Sequence, residues 1–311
     1  MLAYIFPGQG SQFVGMGKDL YDKYDYVREV FDMADRALGF SLSGLIFEGP
    51  AEELQKTVNA QPAILTASIA LYEVIRRAGV RPGAVAGHSL GEYSALVAAG
   101  SLKFSDAVRL VRLRGQFMQE AVPLGRGGMM AVLGLTPDEV EEGCRRAANA
   151  GIVEAANFNC PGQVVVAGEN KALKRAQEIF KEMGARRCIL LQVSAPFHSS
   201  MMAPAGEKLV AELARVEIRD PAVPVMANIT ADYVYTAQQV RDALIRQVSG
   251  PVLWEQSMRR LLADGYNLFV EVGPGQVLTG LLKKISRQTQ SVNFQSEAEP
   301  EKVIARLKEA V

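Results

Sequence analysis

Ser89 stands in the run Gly87-His88-Ser89-Leu90-Gly91, a Gly-x-Ser-x-Gly pattern. A short stretch of small residues, Ala84–Gly87, precedes it as a strand, and Leu90–Ala99 follows as a helix. That is the setting of a nucleophile elbow. The sharp turn needs residues without bulky side chains on either side, hence Gly87 and Gly91. It exposes the hydroxyl at a helix N-terminus, where the dipole favours negative charge. The Leu90 N–H then points to where an oxyanion would form. The alternative is a tight strand-to-helix turn with Ser89 as an ordinary N-cap. The flanking elements favour the elbow.

A serine nucleophile needs a base, and histidine is the usual one. The chain has two histidines. His88 adjoins Ser89 on the elbow, where successive side chains diverge. That leaves His198, in Ser194-Ala-Pro-Phe-His198-Ser-Ser. Arg114 is the third residue of interest. At 100° per residue, Ala107, Leu110, Val111, Phe117, Met118 and Ala121 lie within about 60° of it, while Arg109, Arg112, Gln116 and Gln119 take the opposite face. A guanidinium centred on an apolar stripe needs an anionic partner. A buried Asp or Glu and a substrate carboxylate, gripped bidentately, are equally open on periodicity alone.

The loop Phe6-Pro7-Gly8-Gln9-Gly10-Ser11-Gln12 does not fit G-x-G-x-x-G, since position 13 is Phe, and it lacks the Gly-Lys-Ser/Thr of a P-loop. A nucleotide site is disfavoured. A glycine-rich turn at the end of a strand can supply a second backbone N–H to an oxyanion hole, or be a simple tight turn.

The elements that must position these residues read as an α/β protein with a mainly parallel sheet. Leu2–Phe6, Val223–Ala227 and Leu268–Val272 read as buried strands. Helices are expected over Gln61–Arg77, with Pro62 near its first turn, over Ser105–Ala121 and over Gln276–Ile285. The segment between Met129 and Val193 differs. Met130–Leu135 is a strand, Thr136-Pro137-Asp138-Glu139 opens a helix with a capping box, and Ile152–Phe158 and Val164–Gly168 form a hairpin. Helix Ala172–Met183 and strand Cys188–Val193 complete a βαββαβ order, the ferredoxin-like arrangement. Residues 127–196 are thus expected as a subdomain inserted into a catalytic domain made of 1–126 and 197–311.

Of the 311 residues, 49% are hydrophobic and 22% charged, enough apolar material for a large core. Lys plus Arg equals Asp plus Glu, at 34 each, which argues against nucleic-acid binding by bulk charge. No stretch reads as the ~20 apolar residues of a bilayer span, and the N-terminus lacks the features of a secretory signal. Cys144, Cys160 and Cys188 are widely spaced, without metal-ligand spacing. A reducing, cytoplasmic setting is expected, and nothing demands more than a monomer.

Taken together, the motifs resemble the malonyl-CoA:acyl-carrier-protein transacylase family. The resemblance is carried by Phe6-Pro-Gly-Gln-Gly-Ser-Gln12, Gly87-His-Ser-Leu-Gly-Glu-Tyr-Ser94, Arg112-Leu-Arg114-Gly-Gln-Phe-Met-Gln119, Asn157-Phe-Asn-Cys-Pro-Gly-Gln163, Pro196-Phe-His198 and Glu271-Val-Gly-Pro-Gly275, in order along nearly the whole chain. It implies an α/β-hydrolase-like core carrying a ferredoxin-like subdomain. It also implies transfer of malonyl from coenzyme A to the phosphopantetheine thiol of acyl carrier protein, for fatty-acid or polyketide synthesis, without a cofactor or metal. By the same resemblance Ser89 is the nucleophile and His198 the base. Arg114 binds the acyl carboxylate, Gln9 and Leu90 provide the oxyanion-hole amides, and the main-chain carbonyl of Gln247 orients the histidine. Two rivals share features with it. A serine hydrolase would use the same site with water as acceptor, with Glu120 or Asp138 open as its acidic third member. A non-catalytic carrier-protein-binding subunit would keep only the fold.

Overall fold

The computed structural model describes residues 1–295 and 300–310. Strands are numbered β1 (Leu2–Phe6), β2 (Ala84–Gly87), β3 (Gly127–Leu133), β4 (Val153–Cys160), β5 (Gln163–Glu169), β6 (Arg187–Leu190), β7 (Val225–Ala227), β8 (Asp232–Val234), β9 (Leu268–Val272) and β10 (Gln290–Phe294). Two sheets result. A six-stranded sheet runs in the order β10-β9-β1-β2-β7-β8, parallel throughout except for β8, which pairs antiparallel with β7. Its central strands β1, β2 and β9 are wholly buried, as expected when helices cover both faces of a parallel sheet.

The second sheet is four-stranded and antiparallel, in the order β4-β5-β3-β6. The Pro137–Ala147 and Asn170–Glu182 helices pack on one face of it around Met130, Val132, Val166 and Phe180. Met129, Ala131, Val165 and Ala167 on the other face join the main core. The capping box at Thr136 forms as the sequence indicates: Glu139 N–H donates to Thr136 Oγ1 (3.3 Å), and Thr136 N–H donates to Glu139 Oε2 (2.7 Å). β4 is tied to the segment just before the Trp254–Ala263 helix, with Phe158 N–H donating to Val252 O (2.9 Å) and Val252 N–H to Ala156 O (2.8 Å).

One helix departs from expectation. It spans Thr57–Arg77 rather than starting at Gln61, so Pro62 lies inside it. A proline there removes one backbone bond. Thr57, Ala60 and Gln61 are buried, and their tertiary packing carries the first turn past that loss. This helix also has the length and composition of a membrane span, contrary to the sequence expectation, but 89% of its most apolar window is buried inside the protein. It packs in the main core, chiefly against the Phe104–Ala121 and Asp25–Leu38 helices.

Candidate active site

β2 ends at Gly87, and the chain turns through Ser89 with φ 52° into the Gly91–Ala98 helix. A side chain in the left-handed region is unusual and needs support from its surroundings. Here the support is spatial. A Cβ on Gly87 would overlap the backbone of Gly91, and one on Gly91 would overlap the Phe6 carbonyl. Two glycines therefore let β1, the elbow and the helix approach closely. Asn228, just beyond β7, clasps the turn. Its Oδ1 accepts from Ser89 N–H (2.6 Å) and its Nδ2 donates to Gly87 O (2.6 Å). Sequence reading missed Asn228. The available signal was a polar residue directly after a buried strand that ends beside β2.

His198 reaches this turn from the segment after β6, and its own φ is 60°. The ring is buried, with Nε2 2.6 Å from Ser89 Oγ. Nδ1 faces two main-chain carbonyls, Gln247 O at 3.0 Å and Gly250 O at 3.2 Å. Two acceptors assign the proton to Nδ1, which leaves the Nε2 lone pair for the serine hydroxyl. Burial, and then the Arg114 charge, pushes the imidazole pKa down to about 3, so the ring is neutral at ordinary pH. No carboxylate is among the partners of its Nδ1. Glu120 pairs with Lys208 at 2.7 Å, and Asp138 is exposed on the Pro137–Ala147 helix. His88 turns away from Ser89, placing Nε2 2.8 Å from Asn159 Oδ1 and its ring against Trp254.

Arg114 lies on the Phe104–Ala121 helix and is 1% exposed. Nη1 donates to Gln61 Oε1 (2.8 Å), and Nη2 donates to Gln247 Oε1 (3.0 Å) and Ser89 Oγ (3.2 Å). Its Nε has no partner among the described residues. No ion pair joins Arg114 to a carboxylate among them either. Of the two readings open on periodicity, the buried structural pair is therefore the one the geometry lacks.

Gln247 contributes more than the carbonyl assigned to it from sequence. Its fully buried side chain accepts from Arg114 and donates to Ser89 O (2.9 Å) and Glu92 Oε2 (2.8 Å). Gln9 and Leu90 line a cavity of about 480 Å³ together with Ser89, Arg114, Phe197 and His198. Neither main-chain N–H donates to a protein acceptor among the described residues, and Leu90 sits at the N-terminus of the Gly91–Ala98 helix. Gln9 itself is held by its side chain, which donates to Thr57 Oγ1 (3.1 Å). No group of three or more Cys, His, Asp or Glu side chains among the described residues is placed to hold a metal. The arrangement is thus a hydroxyl paired with a neutral imidazole, beside a buried cation and free amides.

Residues 3–310 match the acyl transferase domain family. The chain belongs to that family. It is 48% identical over 309 residues to the malonyl CoA-acyl carrier protein transacylase of Bacillus subtilis, a match covering 99% of this chain and 98% of that one. Among solved structures, it is similar to an acyl carrier protein S-malonyltransferase from Vibrio cholerae, with TM-score 0.95, 44% identity, and 97% and 99% of the two chains covered. It is equally similar to the malonyl-transacylase solved in complex with its type II PKS acyl-carrier protein, with TM-score 0.95, 42% identity, and 98% and 99% covered.

Proposed function

We propose that this protein transfers a malonyl group from coenzyme A to the phosphopantetheine thiol of an acyl carrier protein, through an ester on Ser89. The observation that carries the reading is Arg114. A buried guanidinium that touches no carboxylate among the described residues stands 3.2 Å from the Ser89 hydroxyl, where the free carboxylate of a malonyl ester could bind it directly. The names of the relatives point the same way.

In the first step Ser89 Oγ attacks the thioester carbonyl while His198 Nε2 takes its proton. The carbonyl oxygen becomes an oxyanion facing the Leu90 and Gln9 N–H groups, a form of stabilisation that is commonly the largest catalytic contribution. The carbon–sulfur bond then breaks, and the imidazolium returns its proton to coenzyme A. In the second step the carrier thiol gives its proton to His198 and attacks malonyl-Ser89, and Ser89 leaves with that proton. The Gln247 and Gly250 carbonyls hold the ring and stabilise its transient charge. Arg114 holds the distal carboxylate in both steps and selects diacid acyl groups. No step asks for a cofactor.

The division of labour follows the two sheets. Residues 1–126 and 197–311 form the catalytic domain, and 127–196 form a subdomain that covers the cavity from the β4 side. The reading places the protein in the cytoplasm, because its thioester donor and protein acceptor are both soluble partners, and takes it as a monomer, because every residue the mechanism uses comes from one chain; it uses neither nucleic acid nor membrane.

Mass spectrometry after brief mixing with malonyl-CoA tests the proposal. One malonyl group should appear on Ser89, survive in water over many turnover times, and vanish when carrier protein is added. Ser89→Ala should take no label. Release of free malonate as fast as transfer would instead establish a hydrolase, and an unlabelled wild type would leave only a binding protein.

A further inference from the structure

Glu92 is 1% exposed, on the first turn of the Gly91–Ala98 helix, and the transfer mechanism leaves it unused. Its Oε2 accepts two hydrogen bonds, from Gln247 Nε2 (2.8 Å) and Asn228 N–H (3.0 Å). Each donor leads on to reacting groups. Asn228 clasps Ser89 N–H and Gly87 O. The other end of the Gln247 amide accepts from Arg114 Nη2 (3.0 Å). Cation, amide and carboxylate thus form one chain, Arg114–Gln247–Glu92, closed from solvent.

We propose that Glu92 is the resident counter-charge of Arg114, which the malonyl carboxylate replaces on binding while Glu92 takes up a proton. This rests on the reading of Arg114 as the malonyl-carboxylate site. A buried guanidinium must be balanced, and Glu92 is the carboxylate joined to it, through one amide. A second carboxylate placed directly on Arg114 leaves two anions sharing one cation in a poorly polarisable interior, and like charges there favour protonation of one. The acyl carboxylate touches the cation, whereas Glu92 stands an amide away, so Glu92 is the one to protonate.

Burial above all, opposed by the Asn228 and Gln247 bonds and by Arg114, already holds its pKa up at about 7. Arg114 is the charge that acts on it from the neighbouring helix. Tyr93, next along its own helix, is raised by burial to about 12, and His198, beyond Arg114, is lowered to about 3. Burial lowers His88. Within this cluster Glu92 is the group held at about 7, and burial moves His88 away from that value. The sign follows: malonyl binding is strong while Glu92 is protonated and weakens as pH rises through its pKa.

Single-turnover acylation of Ser89, measured against malonyl-CoA concentration from pH 6 to pH 8, tests this. The half-saturating concentration, divided by that for acetyl-CoA to cancel titration of the coenzyme, should rise about fivefold or more across the range. Glu92→Gln keeps an oxygen acceptor for both donors and mimics the protonated acid. It should behave at every pH as the wild type does at low pH. A wild-type ratio flat with pH, or a Glu92→Gln variant with weaker malonyl saturation at all pH, would overturn the proposal. A structural role alone would move the melting temperature and leave the pH profile intact. If Glu92→Gln does not fold, proton uptake by the wild type on mixing with malonyl-CoA at about pH 7.5 decides the matter, because ester formation exchanges a hydroxyl proton for a thiol proton and takes up none. Absence of uptake overturns it. Acylation that proceeds normally without these pH effects removes only the role of Glu92, whereas absence of malonyl-Ser89 removes the proposed function itself.

Discussion

Ser89 and His198 both have left-handed backbone angles, φ 52° and 60°, and their side chains meet at 2.6 Å. Two non-glycine residues held in this sparsely populated region, in contact with one another, mark where the fold maintains local strain to bring a hydroxyl and an imidazole together. Each has its own clamp: Asn228 for Ser89, and the Gln247 and Gly250 carbonyls for His198.

Replacing His198 with Ala should slow acylation of Ser89 by at least ~10²-fold, the usual loss with a general base. Rapid-quench labelling with malonyl-CoA measures it. Near-normal acylation would remove His198 as the base.

The depressed pKa of His198 sets a pH expectation. Burial keeps the folded-state value near 3, below the unfolded value of about 6.5. The stability this contributes is present above about pH 6.5 and is lost as pH falls toward 3. His198→Ala should therefore lose less melting temperature than the wild type between about pH 7 and pH 5. Acetyl transfer by the wild type should show no acid limb near pH 6.5, and a limb there would mean that the imidazole is not desolvated.

Arg114→Ala should damage malonyl transfer far more than acetyl transfer. Truncating one partner of a buried, hydrogen-bonded charge pair costs ~2–5 kcal/mol. At about 1.36 kcal/mol per tenfold, the malonyl specificity constant falls roughly 30-fold to several-thousand-fold, while acetyl transfer holds or rises. Arg114→Lys should rescue in part, because a point charge lacks the planar fork. Equal losses for both substrates, with a large fall in melting temperature, would contradict the carboxylate-binding role.

Asn228→Ala leaves Ser89 N–H and Gly87 O without their partner. Each buried group left unsatisfied costs about 1–3 kcal/mol, and the elbow loses its clasp. Denaturant unfolding should show a loss of that order, with acylation reduced by about tenfold or more in the protein that remains folded. A variant as stable and as active as the wild type would show that the two glycines alone hold the turn.

Gly91→Ala should fail to fold, or lose more than about 3 kcal/mol, since its methyl would occupy the position of the Phe6 carbonyl oxygen and overpacking against backbone has no rotamer to relieve it. Circular dichroism and thermal melting check this, and a native-like melting curve would mean that β1 can move away from the elbow.

Much of this was legible in the residues because the governing physics is local. The turn at Ser89 was recognisable because the strand, the elbow and the helix occupy one short run. The Thr136 capping box depends on two residues three apart. Arg114 showed as buried because helical periodicity places its neighbours, and the βαββαβ order announced the separate four-stranded sheet. The first turn of the Thr57–Arg77 helix was hidden, because a proline signal was outweighed by burial of Thr57 and Gln61. What the tertiary structure alone decided is the partnership around Ser89, Arg114 and His198. Whether a carboxylate touches Arg114, which amide clasps Ser89, and what lies at the far end of Gln247 all turn on side chains 25 to 158 positions apart. Hydrogen bonds between remote segments leave no periodicity in a sequence, since they depend on where the ends of the parallel strands converge, and only the folded sheet brings Glu92, Asn228 and Gln247 to the same few ångströms.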